Sequence, residues 1–295
     1  MQRQLSIHSS NIGRAASSLA SSERITRAAD DAARLAVSSK LRADIRSLNA
    51  AKRNASDSVS MMQTTEMGLE QAGTMIIRLR ELAVQAASDT VTSNERNYLN
   101  REYSELKNEI DRLAAAIDFN GIRILAGDGT NLPKGMPASA GEHPLEFQVG
   151  KDYYNETDSK DSKAPVNIIR AHLDEIAGFT ENLGIGTDGA SSSTTIDTKS
   201  GAKQSLARLD DALVKVNTMR AHVGAVQNHL GATIRNLSEH TVNLSSARSQ
   251  MQDTDYAKHS SLLAHAKILQ SAGTSLLASA NADGGTALSL LDDGI

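Results

Sequence analysis

The chain of 295 residues contains no cysteine and no tryptophan, and only three phenylalanines and five tyrosines. Without cysteine there are no disulfides and no thiol chemistry. So few large rings exclude a thick globular core. Alanine, serine and leucine fill the sequence instead, and they bury narrow stripes of the kind that join helix to helix. Proline is missing from the first 132 residues and from the last 130; Pro133, Pro137, Pro144 and Pro165 all lie between. Proline removes a backbone donor and clashes inside a helix, so both ends are free to form very long helices. With its breakers in the middle, the chain is expected to fold back on itself, end beside end. A net charge of -4, with lysine and arginine spread among the carboxylates, gives no footprint for nucleic acid. No apolar run is long enough to enter a membrane as a spanning helix. Residues 1–5 lack the apolar segment of a secretory signal peptide, so export would use a route that does not read one.

What is present is helical periodicity. Leu41, Ile45, Leu48, Ala55, Val59, Met62, Leu69 and Ile76 follow spacings of three, four and seven, the seam of a coiled coil, interrupted at Lys52, Glu66 and Gly73. This helix is expected to end near Ser88. Thr92 followed by Glu95 matches a capping box. Leu99, Tyr103, Leu106, Ile110, Leu113 and Ile117 form the stripe of the next helix, which reads as stopping at Asn120-Gly121. Helix resumes near Ala202, with Leu206, Leu209, Leu213, Val216, Val223, Leu230, Ile234, Leu237 and Leu244 carrying a stripe to about Met251. After Asp253-Thr254-Asp255, a last helix places Leu262, Ala266, Leu269, Leu276 and Ala280 on one seam, interrupted by Gly273.

Residues 121–201 hold eleven of the twenty glycines and all the prolines. Leu145-Glu146-Phe147-Gln148-Val149 alternates with period two and reads as a strand, with Val166-Asn167-Ile168-Ile169 as its partner. Thr187 to Ser200 reads as a polar surface loop. The fold class is therefore mainly α: a long antiparallel helical hairpin or coiled-coil bundle from both termini, with a small β-hairpin element in the middle. At the two tips, Leu5, Ile12, Leu19, Leu262, Leu263, Leu269, Leu276 and Leu277 are the large aliphatic residues. They are few against the backbone entropy of about fifty ordered residues. The tips are accordingly expected to be mobile in a lone chain and to order between neighbours.

Specific strings add a family. Arg24-Ile25, Ala28-Ala29-Asp30-Asp31-Ala32-Ala33 and Leu35-Ala36-Val37 resemble the N-terminal signature of bacterial flagellin. So do Ile45-Arg46-Ser47-Leu48-Asn49-Ala50-Ala51-Lys52-Arg53-Asn54-Ala55 and Arg78-Leu79-Arg80-Glu81-Leu82-Ala83-Val84-Gln85. Phe119-Asn120-Gly121 continues the match. Gly224-Ala225-Val226-Gln227-Asn228, Asn243-Leu244-Ser245-Ser246-Ala247-Arg248-Ser249 and Ile268-Leu269-Gln270-Ser271-Ala272-Gly273-Thr274 are similar to its C-terminal half. The likeness runs over about residues 1–125 and 200–291. It implies an inner coiled-coil domain from 1–32 and 256–295, a helical rod domain from 33–130 and 200–255, and a small surface-facing β-hairpin region at 131–199.

The resemblance further implies a secreted filament subunit that is not an enzyme and needs no cofactor. It would pass unfolded through the flagellar type III export apparatus and assemble with copies of itself under the filament cap. Its partners would include hook-associated proteins and an export chaperone on about residues 255–291. The counterparts of Arg78, Leu82 and Glu102 belong to the surface met by the animal Toll-like receptor for flagellin. The related alternative is a hook–filament junction protein. Departures from the family pattern are Ser22 and Arg34 where glycine is usual, a start about a dozen residues late, and the closing Asp292-Asp293-Gly294-Ile295.

Other motifs read blandly. Gly184-Ile185-Gly186-Thr187-Asp188-Gly189 matches a dinucleotide fingerprint by letter but lacks the strand before it and the helix after it. The histidines form no metal-binding pair at helical spacing; His222 and His229, two turns apart, read as solvent or interface residues. Carboxylates read as lying on solvated faces. Ser191-Ser192-Ser193-Thr194-Thr195, a position where flagellins can be O-glycosylated, reads as a plain solvated loop.

Overall fold

The computed structural model describes residues 2–127, 145–152, 167–172, 176–186 and 193–292. All four prolines and the Thr187–Asp188–Gly189 half of the glycine motif lie outside these residues, as do Ser191 and Ser192. The described chain runs through α1 (Gln2–Ser21), α2 (Ala32–Ala86), α3 (Ser93–Ala116), β1 (Asp118–Phe119), β2 (Ile122–Arg123), β3 (Leu145–Gln148), β4 (Ile168–Ala171), α4 (Thr180–Leu183), α5 (Lys199–Gln252) and α6 (Tyr256–Asp292). It divides into two compact units, Met1–Arg46 with His240–Ile295, and Ser47–Glu239.

In the second unit α2 and α5 lie side by side and antiparallel. Glu66 of α2 accepts a hydrogen bond from Gln227 Nε2 at 3.0 Å, Arg80 pairs with Asp210 at 2.6 Å, and Gly73 faces Val216. The expected seam is buried: Leu48, Ala55, Met62, Leu69 and Ile76 recur every seven residues. A second buried row, unread in the sequence, runs beside it: Ala51, Ser58, Thr65, Ala72, Leu79 and Ala86. Its two hydroxyls are satisfied inside their own helix, Ser58 Oγ donating to the Asn54 carbonyl at 2.7 Å and Thr65 Oγ1 to that of Met61 at 2.9 Å. Glu66, which broke the seam, is answered by Gln227 and by Arg220 at 4.0 Å. On α5 the matching row is Ala202, Leu209, Val216, Val223 and Leu230.

The corner between α2 and α3 is built locally. Thr92 caps α3 with Glu95 in a reciprocal box, as read from the sequence. Arg96 donates to the carbonyls of Ala86 and Ser88 at 2.8 and 2.7 Å, which satisfies the open end of α2.

One stop signal was misread. The helix ends at Ala116, and Asn120-Gly121 is instead the turn of a two-residue hairpin between β1 and β2. Both residues have positive φ, 52° and 83°, the geometry that favours this dipeptide between strands. The second hairpin forms, with β3 antiparallel to β4 and Phe147 opposite Ile169, but its second strand is Ile168–Ala171, two residues later than expected, and Val166 lies outside the described residues. Arg170 and Glu146 pair across it at 2.8 Å. Nor is 193–200, the described part of the expected loop, simply solvated: Thr194 and Ile196 are buried, and α5 begins at Lys199.

In the first unit α1 and α6 pack antiparallel. Leu5 sits against Gly273, and the Tyr256 hydroxyl donates to the Leu19 carbonyl at 2.8 Å. The segment after α1 is clamped to the end of α5. Arg24 N–H donates to the Gln252 carbonyl at 2.7 Å and Thr254 N–H to that of Ser22 at 3.0 Å. Ser38 Oγ donates to Gln252 Oε1 in the buried layer beneath.

Candidate functional site

The terminal helix pair brings together the residues expected to carry assembly, but divides them between two faces. Leu5, Ile12 and Leu19 of α1 are half-buried, as are Leu263 and Leu277 of α6. Leu262, Leu269 and Leu276, seven apart, point away and stay 50%, 38% and 60% exposed. The single seam read on α6 is therefore two stripes. Ala266 belongs to the inner one and is buried, as are Ala15 and Ser18 on α1. Those small residues were not recognised as buried, because alanine and serine carry no hydrophobic signal of their own. Ile268 and Ile7 add to the exposed apolar surface.

In the second unit a polar network that the sequence had hidden fixes the strap formed by residues 176–186 and 193–198. The buried face of α3 holds Tyr103, Lys107, Ile110, Asp111 and Ala114, spaced as one stripe. Lys107 is 0% exposed. Its ammonium donates to the carbonyls of Thr194 at 2.7 Å and Gly186 at 3.0 Å, and stands 5.3 Å from the centre of the Tyr103 ring. The Tyr103 and Thr194 hydroxyls share a hydrogen bond of 3.0 Å. One turn along, the Asp111 carboxylate accepts from the Thr180 N–H at 2.8 Å and the Thr180 hydroxyl at 2.9 Å. Burial raises the pKa of Asp111, opposed by the two Thr180 bonds and the charge of Lys107. Burial likewise raises that of Tyr103. Asn100 Oδ1 accepts from the Ile196 N–H at 2.9 Å and completes the attachment. The expectation that carboxylates lie on solvated faces fails at Asp111.

The surface expected to meet a receptor is only partly together. Arg78 donates to Glu102 Oε1 at 2.7 and 3.1 Å and to Glu81 at 3.0 Å. Those carboxylates, Glu102 foremost through its hydrogen bonds, hold the guanidinium above its ordinary pKa. Leu82 does not share this face. It is 1% exposed and belongs to the core. Four residues correspond to about 400° of helix, and that drift of about 40° carries Leu82 inward. The exposed apolar residues on this stretch of α2 are instead Ile77 and Val84, which flank Arg80 and Glu81.

His222 stacks edge-on to His172, with ring centres 6.5 Å apart, while His229 is exposed. Among the described residues no three metal-ligating side chains gather, and no helix is long and apolar enough to cross a membrane. Gly184 closes the four-residue α4 with φ 85°, so the described half of the glycine motif follows a helical turn, not a strand.

The family model for the N-terminal helical region of bacterial flagellin matches residues 1–130, and that for the C-terminal helical region matches 206–291. Flagellin FlaB1 of Treponema pallidum (strain Nichols) is 32% identical, over 98% of this chain and 96% of its own length. The flagellar filament 33 kDa core protein of Treponema phagedenis is 34% identical, over 92% and 90%. A solved structure described as a flagellar hook-associated protein from Vibrio parahaemolyticus covers 76% of this chain and 100% of its own, with a TM-score of 0.56. At 13% identity that likeness is one of fold alone. Matched in order from its first helix to its last, over well above half of its residues, the chain belongs to the bacterial flagellin family.

Proposed function

We propose that this chain is a structural subunit of a bacterial flagellar filament, working by self-assembly outside the cell and not by catalysis. The observation that carries the reading is the pair of terminal helices, where Leu262, Leu269 and Leu276, spaced by seven, stay 38–60% exposed in a single copy. Burying a large aliphatic side chain stabilises by about 1.5–3 kcal/mol, so the exposed stripe of Leu262, Leu269 and Leu276 favours association over solvation. Ordering and polymerisation are then one coupled event, in which tips mobile in the monomer become fixed between neighbours.

The inner domain would comprise 1–32 and 256–295, the remaining helices would surround it, and 131–199 would face outward. Export unfolded through the type III apparatus, a chaperone on residues 255–291, and growth beneath a cap with hook-associated proteins complete the reading. An exposed apolar helix needs such a cover before assembly. Arg78 and Glu102, without Leu82, are the residues available to a receptor of the Toll-like class.

Purified monomer added to short filament seeds is expected to pellet. A variant lacking residues 1–22 and 262–295 is expected to remain in the supernatant; native-looking filaments from that variant would refute the reading. The related junction-protein reading draws only on the shared fold, and copy number per filament separates the two.

A further inference from the structure

Within the first unit, a groove of about 940 Å3 opens between α1, the segment that follows it and α6. Arg14, Arg24 and Arg27 line it, together with His8, His259 and His265. Asp30 is its single carboxylate among the described residues. That carboxylate already accepts from the N–H groups of Thr26 and Arg27 and from the Thr26 hydroxyl. Arg14 and Arg24 donate to Asn11 and to the Met251 carbonyl, neutral acceptors that leave both charges uncompensated. His259 Nδ1 is buried there without a hydrogen-bond partner. The exposed sides of Leu262 and Leu269 supply an apolar wall. Fixed positive charge beside leucine calls for a segment that is acidic and leucine-bearing.

The sequence contains one. From Ile268 onward there is no lysine or arginine, while Asp283, Asp292 and Asp293 stand among Leu276, Leu277, Leu288, Leu290 and Leu291. This is the far part of α6, helical to Asp292. Residues 1–22 show the converse, Arg3 and Arg14 with no carboxylate. At about 1.5 Å per residue, a straight α6 holds Asp292 about 40 Å from His265. As long as α6 is helical, a molecule's own tip is therefore held out of its own groove.

We propose that the basic groove of one copy receives the acidic, leucine-rich far part of α6 from a second copy. The proposal rests on the filament reading and adds to it the segment that is exchanged and the charges that select it.

The test is seeded sedimentation of full-length chains. Arg14→Glu with Arg27→Glu is expected to raise the critical concentration about tenfold or more, and so is Asp283→Lys with Asp292→Lys and Asp293→Lys. All five reversals in one chain are expected to bring it back toward the unaltered value. A second readout uses the absence of native cysteine. Ala29→Cys on one copy and Asp292→Cys on another are expected to give a mixed disulfide-linked dimer when seeded filaments, but not dilute monomers, are oxidised. Unaltered critical concentrations in both reversed chains, no recovery in the combined chain, or no mixed dimer within filaments would overturn the proposal. Failure of the unaltered chain to pellet on seeds would overturn the filament reading itself.

Discussion

Replacing Lys107 by methionine tests whether the buried ammonium, and not the apolar stripe alone, holds the strap to α3. Methionine keeps the bulk of the stem and removes the donor. The Thr194 carbonyl, now bonded at 2.7 Å, would lose that partner in a dry site, while the Gly186 carbonyl, bonded at 3.0 Å, would keep the Thr194 N–H at 3.4 Å. A stranded buried acceptor costs about 1–3 kcal/mol, and relief from burying the charged lysine offsets part of the total. The expected net loss is about 1–2 kcal/mol, localised to the strap. The assay is amide hydrogen exchange at Thr180 and Ile196, whose N–H groups bond to Asp111 and Asn100. At 1.4 kcal/mol per factor of ten, exchange there is expected to accelerate by roughly five-fold to thirty-fold. Amides in the middle of α2 should be unaffected. Protection at both strap amides within about threefold of the unaltered chain, a loss under about 0.7 kcal/mol, would refute the reasoning.

Ser22 holds φ at 59°, a conformation that costs a non-glycine residue about 1–2 kcal/mol. Glycine's extra unfolded-state freedom takes back about 0.5–1, so Ser22→Gly should stabilise the segment after α1 by about 0.5–1 kcal/mol, measured by urea unfolding. A Cβ at Gly68 would stand 2.6 Å from Ile117 Cδ1 and 2.7 Å from Leu125 Cδ1. Gly68→Ala sets an overpacking cost of about 1–3 kcal/mol, borne by side-chain ends that can shift, against about 1 kcal/mol of helix propensity gained, and should destabilise by no more than about 2 kcal/mol, read by the same method. On acidification the carboxylates act in opposite directions. Glu95, whose pKa is lowered chiefly by the Thr92 N–H, gives stability that is present above the ordinary glutamate range and is lost as pH falls through its folded pKa. Asp111, raised by burial, makes the opposite contribution: its penalty at neutral pH is relieved as pH falls through its folded pKa towards the ordinary value near 3.9. Asp111→Asn should thus steepen the loss of stability on acidification in urea titrations, and Glu95→Gln should flatten it.

The sequence made visible those parts of the fold that large aliphatic residues report. Leu48, Met62, Leu69 and Ile76 announce one edge of α2 by size and spacing. The parallel row of Ala51, Ser58, Thr65 and Ala72 is as deeply buried, yet it carries no such signal: serine and threonine look like surface until their hydroxyls are found on the carbonyl four residues back. The same applies to Ala15 and Ser18 at the candidate assembly site. Lys107 and Asp111 were hidden for a different reason. Charged side chains are normally solvated, and their acceptors and donors come from segments nearly seventy to ninety residues away. Their place on the stripe of Tyr103, Ile110 and Ala114 was the available clue. Asn120-Gly121 carried two meanings, helix stop and hairpin turn. The strand-like pairs on either side, Asp118-Phe119 and Ile122-Arg123, were the feature that decided between them.

The contrast between the α2–α3 corner and the strap has a consequence for the order in which the chain folds. Thr92, Glu95 and Arg96 bind partners three to ten residues distant, so that bend needs no help from remote sequence and is expected within the earliest events. Lys107 waits for Gly186 and Thr194, 79 and 87 positions downstream, and closing so large a loop comes late. Pulse-labelled exchange during refolding is expected to protect the amide of Arg96, which bonds the Thr92 carbonyl, well before that of Ile196; the reverse order would show that the distant closure leads.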